Sequence, residues 1–155
     1  MVVILYNIRS NHNVGSMFRT SDALGVEKMY LCGITPKPTD RFGRKNLALG
    51  KVALGAENYV QWEYFKSTTK LLDELKKKKY TILAIEQNKK SKLLHKIKIP
   101  KSKKTKTALV FGNEVKGLPK IILKQTDKII EIPMKGKKES LNVSVAFGIA
   151  IFKLS

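Results

Sequence analysis

This chain has a single cysteine, Cys32, so no intrachain disulfide can staple it. Cys32 closes the apolar run 29–32 and reads as a small buried side chain. Long hydrophobic runs are missing as well. No stretch approaches the roughly 18 uncharged residues of a membrane-spanning helix. The opening MVVILYNIRSN is too short for a secretion signal, and no basic residue precedes its apolar part. A cytoplasmic protein without a membrane anchor is expected. The two histidines, His12 and His95, fall in unrelated segments, so no metal cluster is expected. Neither G-x-x-x-x-G-K-[ST] nor G-x-G-x-x-G occurs, which leaves out a P-loop and a dinucleotide fingerprint.

Acidic residues are scarce. Twelve Asp and Glu stand against 31 Lys and Arg, for a formal charge of +19. Solubility needs far less, and a polyanion, nucleic acid by default, is the natural partner. An AT-rich genome, which favours Lys codons, is the alternative source of the lysines. Arginine is scarcer still among the bases: only Arg9, Arg19, Arg41 and Arg44, all in the first third. Where Lys is the default, a retained Arg hints at a need for its planar, bidentate fork, which suits phosphate.

With 155 residues and 43% hydrophobic content, the chain can form one domain with a real core. Short apolar runs rich in β-branched residues predict strands at 2–6, 28–32, 80–85, 107–111 and 128–132, with a further one near 59–65. Helices are expected from Asn13, as cap, to Leu24; from Ser67, as cap, to Lys79; and from Pro119 to about Lys124. Residues 33–46 read as an exposed loop, and 47–56 as small and apolar with no clear period. Residues 88–106 carry nine Lys in nineteen positions and read as a solvated connection, with a turn of helix near Leu93 and Leu94. Strands and helices alternate. The expected fold is therefore single-domain α/β, a mostly parallel sheet with helices on both faces.

The segment 134–152, MKGKKESLNVSVAFGIAIF, is the most telling. From Leu141 onward its apolar residues go all the way round a helix expected to begin at Ser140, and such a helix must be buried on every side. A partner subunit is expected over one face. Polar Glu139, Ser140 and Asn142 at its mouth look like a site. Ligands of open parallel sheets bind beyond the carboxyl ends of the strands. Three unusual loops leave such ends: one with Asn13, Gly15 and Arg19, one spanning 112–119, and one running from Pro133 to Asn142. Bland readings stay open for each: Arg19 paired with Asp22, Glu114 solvated in a turn, Ser140 and Asn142 as helix caps, the Lys run as a solvated loop.

Taken together, the three loops resemble the SpoU/TrmH branch of the SPOUT RNA methyltransferases. N-x-G-x-x-x-R-[TS] reads Asn13-Val14-Gly15-Ser16-Met17-Phe18-Arg19-Thr20. G-N-E-x-x-G-[LI] reads Gly112-Asn113-Glu114-Val115-Lys116-Gly117-Leu118. The third motif reads Ile132-Pro133-Met134-Lys135-Gly136, then Ser140-Leu141-Asn142-Val143-Ser144. The resemblance implies a C-terminal deep trefoil knot and a homodimer through the C-terminal helix and knot region. It also implies S-adenosyl-L-methionine as cofactor and methyl transfer to a ribose 2′-hydroxyl of structured RNA, tRNA first and rRNA as the alternative. A non-catalytic RNA-binding or assembly protein of the same fold is the rival. By position, the catalytic candidates are Arg19, Asn13, Glu114, Ser140 and Asn142. Gly112, Asn113, Glu114, Ile132, Met134, Gly136, Ser140, Leu141 and Asn142 are candidates to hold the cofactor. Arg9, Arg19, Arg41, Arg44 and Lys51 are the RNA-binding candidates. Residues 1–155 are expected to form one methyltransferase domain without a separate substrate-binding domain.

Overall fold

Residues 2–6 and 107–111 carry no charge and offer water no polar side, so both belong in the middle of a sheet covered on two faces. The computed structural model, which describes residues 1–155, sets them side by side as β1 (Val2–Tyr6) and β6 (Thr107–Phe111). Around them run α1 (Asn11–Ala23), β2 (Lys28–Cys32), α2 (Leu47–Ala53), β3 (Trp62–Phe65), α3 (Thr68–Lys77), β4 (Thr81–Ile85), β5 (Lys92–Leu93), α4 (Lys101–Lys104), α5 (Lys120–Leu123), β7 (Lys128–Glu131) and α6 (Val143–Leu154). The seven strands lie in the order β3-β2-β1-β6-β4-β7-β5, and every pairing is parallel. The edges are short strands with charged or half-exposed residues, which blunts them against further pairing.

Strand alternation divides the core in two. Val3 and Leu5 of β1 join Val14, Met17 and Phe18 of α1, Leu49 and Ala53 of α2, and Phe147, Ala150 and Ile151 of α6. Val2 and Ile4 face Leu71, Leu72 and Leu75 of α3 and Ile122 of α5. Helices cover both faces, as the pattern predicts. Cys32 is fully buried, and burial pushes its thiol up to about 11 against a weaker pull from the Thr68 hydroxyl. No helix is long and apolar enough to cross a membrane.

Several boundaries differ from the sequence reading. Ser10, not Asn13, caps α1: its hydroxyl accepts the Asn13 backbone N–H at 3.2 Å, which frees the Asn13 side chain. Asn142, not Ser140, caps α6, accepting the Ser144 N–H at 2.8 Å. Within this chain α6 is buried on one side only. Val145, Ile149 and Phe152, spaced four and three apart, form an exposed apolar stripe on it. Residues 47–53 are helical, capped by Asn46. Seven residues with a central glycine show too little period to reveal that. The 33–46 loop is not wholly exposed, since buried Thr35 accepts the Ile8 N–H at 3.1 Å and sits against the carbonyls of Leu5 and Cys32. The Lys-rich connection is anchored too, with Leu94 and Ile97 in the core.

Candidate active site

Because every strand is parallel, the exits of β1, β4, β6 and β7 open on one edge of the sheet. Glu114, just past β6, is the hub there. Its carboxylate accepts the backbone N–H of Arg9 at 3.1 and 3.0 Å, that of Ser10 at 3.2 Å, and the Asn13 amide N–H at 3.1 Å. Partial burial alone would raise its pKa. These donors outweigh that and hold the carboxyl below the usual range, so it stays ionised. The other end of the Asn13 amide accepts Asn142 Nδ2 at 3.2 Å, and Asn142 Oδ1 in turn accepts the Ser144 hydroxyl at 2.7 Å. One hydrogen-bonded chain thus joins residues from all three motifs. Asn113 fastens the second loop from the other side: its Nδ2 donates to the Asn7 carbonyl at 2.7 Å, and its Oδ1 accepts the N–H groups of Val115 and Lys116.

Beside this chain lies a cleft of about 210 Å³. Ile85, Phe111, Ile132, Leu141, Val143 and Ala146 give it apolar walls; Glu86, Gln87, Glu114, Glu131 and Ser140 give it polar groups. Three of the chain's twelve acids line it, and no Lys, Arg or His does. Glycine is required at two points of its floor. A Cβ on Gly112 would lie 2.6 Å from the Gly117 carbonyl carbon. Gly117 itself has φ +61°, and a Cβ there would collide with the Glu86 carboxylate, which accepts the Leu118 N–H at 2.8 Å. Gly15 serves packing instead: a Cβ there would stand 2.6 Å from the Leu49 carbonyl oxygen, so it lets α1 approach α2 rather than a ligand.

Of the cofactor candidates, Gly112, Asn113, Glu114, Ile132, Met134, Ser140 and Leu141 line the cleft. Gly136 does not, and no atom would meet a Cβ there. Asn142 stays in the hydrogen-bonded chain outside the lining. Arg19 also stands outside, six residues beyond Asn13 along α1 and roughly 9 Å farther by helical rise. It is exposed and forms no ion pair, with Asp22 or any other acid. Arg9, Arg41, Arg44 and Lys51 are exposed as well. Glu86, Gln87 and Glu131 are the polar lining residues that the sequence reading missed. They sit at the ends of β4 and β7, where the strand-end rule pointed, but no glycine marked the β4 exit.

The SpoU rRNA methylase family model matches residues 1–152. The chain is 34% identical over 97% of its length to a 23S rRNA (guanosine-2′-O-)-methyltransferase of Neisseria meningitidis serogroup B. It is 31% identical over 99% of its length to a tRNA (guanosine(18)-2′-O)-methyltransferase of Aquifex aeolicus. It spans 56% of the first relative and 67% of the second. Among solved structures, an rRNA methyltransferase from Sinorhizobium meliloti superimposes with a TM-score of 0.84 at 26% identity, covering 98% of this chain and 54% of that one. An AdoMet-bound rRNA methyltransferase structure from Sinorhizobium meliloti gives 0.82. A match over nearly every residue, on the motifs that build the cleft, makes this chain a member of the SpoU rRNA methylase family.

Proposed function

We propose that this chain transfers a methyl group from S-adenosyl-L-methionine to a ribose 2′-hydroxyl of a structured RNA. The observation that carries the proposal is the hydrogen-bonded chain Glu114–Asn13–Asn142, which ties the three motifs into one wall beside the cleft. When bound, the cofactor supplies an electrophilic methyl group on a cationic sulfonium. The cleft fits such a group: its floor admits only glycine at residue 112, its walls are apolar, and its charged side chains are all carboxylates. Gly112, Ile132, Met134 and Leu141 would hold the cofactor, largely through backbone, with Glu86, Glu114 and Glu131 favouring its positive charge.

The chain's own residues divide the remaining work. Glu114 spends its lone pairs on Arg9, Ser10 and Asn13, so it positions the β1 exit rather than taking a proton. Asn13 and Asn142 fix the entrance, and Ser140 lines it. Arg19 is too basic to be a proton acceptor. Exposed and without a carboxylate partner, it is suited to grip an RNA phosphate and stabilise negative charge developing on the attacking oxygen. Holding the hydroxyl in line with the methyl then supplies much of the rate.

The RNA is a tRNA or an rRNA, and the Aquifex and Neisseria relatives support these two arms equally. Such a substrate would place the chain in the cytoplasm. We further propose a homodimer through α6, whose exposed stripe Val145–Ile149–Phe152 needs a cover. Thr20, next to Arg19, faces Gly148 of α6, so a seam on α6 would lie close to Arg19. The trefoil knot belongs to the same proposal. β6 lies between β1 and β4 while β7 lies beyond β4, and Gln87 Nε2 donates across to the Glu139 carbonyl at 2.6 Å.

Nucleoside mass spectrometry on tRNA and rRNA incubated with the protein and the methyl donor tests the activity. A new 2′-O-methylnucleoside in one pool is expected and names the substrate. None in either, together with no calorimetric heat from S-adenosylhomocysteine, overturns the proposal. Sedimentation tests the dimer: Ile149→Asp should give a folded monomer, and a wild-type monomer at micromolar concentration would contradict it.

A further inference from the structure

The loop between β2 and α2 carries Phe42 at its tip, 67% exposed. Single exposed apolar side chains are ordinary on this surface; what sets Phe42 apart is how it is held and what surrounds it. The ring is not loosely held. Asp40 folds the tip around itself: its carboxylate accepts the N–H groups of Phe42 at 2.8 Å and Arg44 at 3.0 Å, and Arg44 Nε at 2.7 Å. The backbone closes the same turn, with Asp40 N–H donating to the Arg44 carbonyl at 3.0 Å and Thr39 bridging to Lys45. The Arg44 hydrogen bonds keep the Asp40 carboxyl below its usual range, so the clasp stays charged.

Two guanidinium groups flank the ring. Cζ of Arg41 lies 4.7 Å from its centroid and that of Arg44 5.2 Å. They are not equivalent. Arg44 is tied to Asp40, whereas Arg41 has no acidic partner and can swing away to a phosphate. Directly beside the tip is an open hollow lined by Lys37, Thr39, Asp40, Arg44, Lys45 and Asn46, with no apolar residue. An apolar stacking face, two planar cations and an adjoining cationic hollow, on a pre-folded tip, match one ligand chemistry. That ligand is a splayed-out nucleobase with the phosphate next to it. A duplex hides its base faces and can offer only the phosphates.

The tip is joined to the candidate active site by side chains. Asn46 Nδ2 donates to Asn11 Oδ1 at 2.7 Å, two residues before Asn13 in the first turn of α1. A base seated on Phe42 is thereby registered against the wall that contains Glu114.

Resting on the RNA reading above, we infer that Phe42 is a stacking platform for an unpaired base of the substrate RNA, with Arg41 and the Lys37–Lys45 hollow holding its phosphate. The protein therefore selects RNA whose target lies in a loop or other unpaired region. The test uses the full chain, a fluorescein-labelled single-stranded 12-mer RNA and the corresponding 12-base-pair duplex. Phe42→Ala should weaken single-strand binding by roughly tenfold while changing duplex binding less than about twofold. Phe42→Trp should restore single-strand binding and Phe42→Leu should not, because stacking needs a ring and apolarity alone does not suffice. Equal losses on both RNAs, no loss on either, or rescue by Leu would overturn the inference and leave the methyltransferase reading standing. A wild-type chain that binds neither RNA would also overturn the inference, while the methyl-transfer assay on tRNA and rRNA decides the methyltransferase reading separately.

Discussion

The cleft and the basic surface spend charge in opposite ways. At the cleft the one heavily used acid, Glu114, accepts hydrogen bonds from three residues, and its neighbours are tied in turn to further partners. Across the rest of the chain, 31 Lys and Arg side chains form only two ion pairs, Lys28–Glu63 and Arg44–Asp40. Exposed pairs of that kind contribute little to stability. The positive charge is therefore not invested in folding this chain; on the RNA reading proposed above, a polyanion would relieve its self-repulsion. The acids do the reverse: they organise backbone where a cationic small molecule would sit.

Substitutions can break this contrast, and the largest effect is expected on the cleft side. Gly112→Ala drives a methyl group into the 117–118 backbone, so cofactor-product binding by calorimetry should vanish and stability fall by about 1–3 kcal/mol. Undiminished binding would mean the cleft is not the cofactor site. Arg19→Ala should lower methyl transfer more than about tenfold and leave cofactor-product affinity nearly unchanged, since Arg19 lies outside the cleft lining. Arg19→Lys should fail alike, because an ammonium does not reproduce the fork. Parallel losses in turnover and affinity would assign Arg19 to packing.

Smaller effects sharpen the comparison. Glu114 is held below its unfolded value, near 4.5, so its contribution is present above that pH and is lost as pH falls through the lower folded value. Glu114→Gln should therefore lower stability at neutral pH, where the carboxylate contributes, and flatten the acid limb of an unfolding profile below about pH 4.5, where wild type loses that contribution; an unaltered acid limb would show that the hub gives no pH-dependent stability. The smallest change belongs to the lysines of 89–106. Replacing a handful with Ser should flatten the dependence of log K on log salt by roughly 0.7–0.9 for each phosphate that is no longer neutralised, without altering which site is methylated. An unchanged slope would make that run a solvated connection only.

The sheet was legible in the sequence because its central strands are uninterrupted apolar runs, and the three motif loops because glycines and amides interrupt those runs at the ends. The helix starts were misplaced for a specific reason. Ser10 and Asn13, like Ser140 and Asn142, are both capping types a few residues apart, and only the tertiary partner decides between them. Asn13 is drawn into the first turn by Glu114, 101 residues away. Glu86 and Gln87 escaped notice because they face the cleft from an exit with no glycine. The apolar girth of α6 was read correctly, but one chain can cover only half of it. Phe147 and Ile151 face this chain's own core, so charge placed there would unfold it; exposed Ile149 and Phe152 are the residues at which the proposed dimer can be tested.

The hydrogen bonds that close the site span 105 residues from Arg9 to Glu114 and 129 from Asn13 to Asn142. Contacts so far apart in the chain form late and slowly. During synthesis the segment bearing Asn13 is made well before its partners: Glu114 follows 101 residues later and Asn142, which caps α6, 129 residues later. A chain cut before Asn142 keeps nearly all of its positive charge but has no finished wall beside the cleft. The wall beside the cleft is thus among the last parts of the fold to be assembled, because its closing hydrogen bond waits for Asn142.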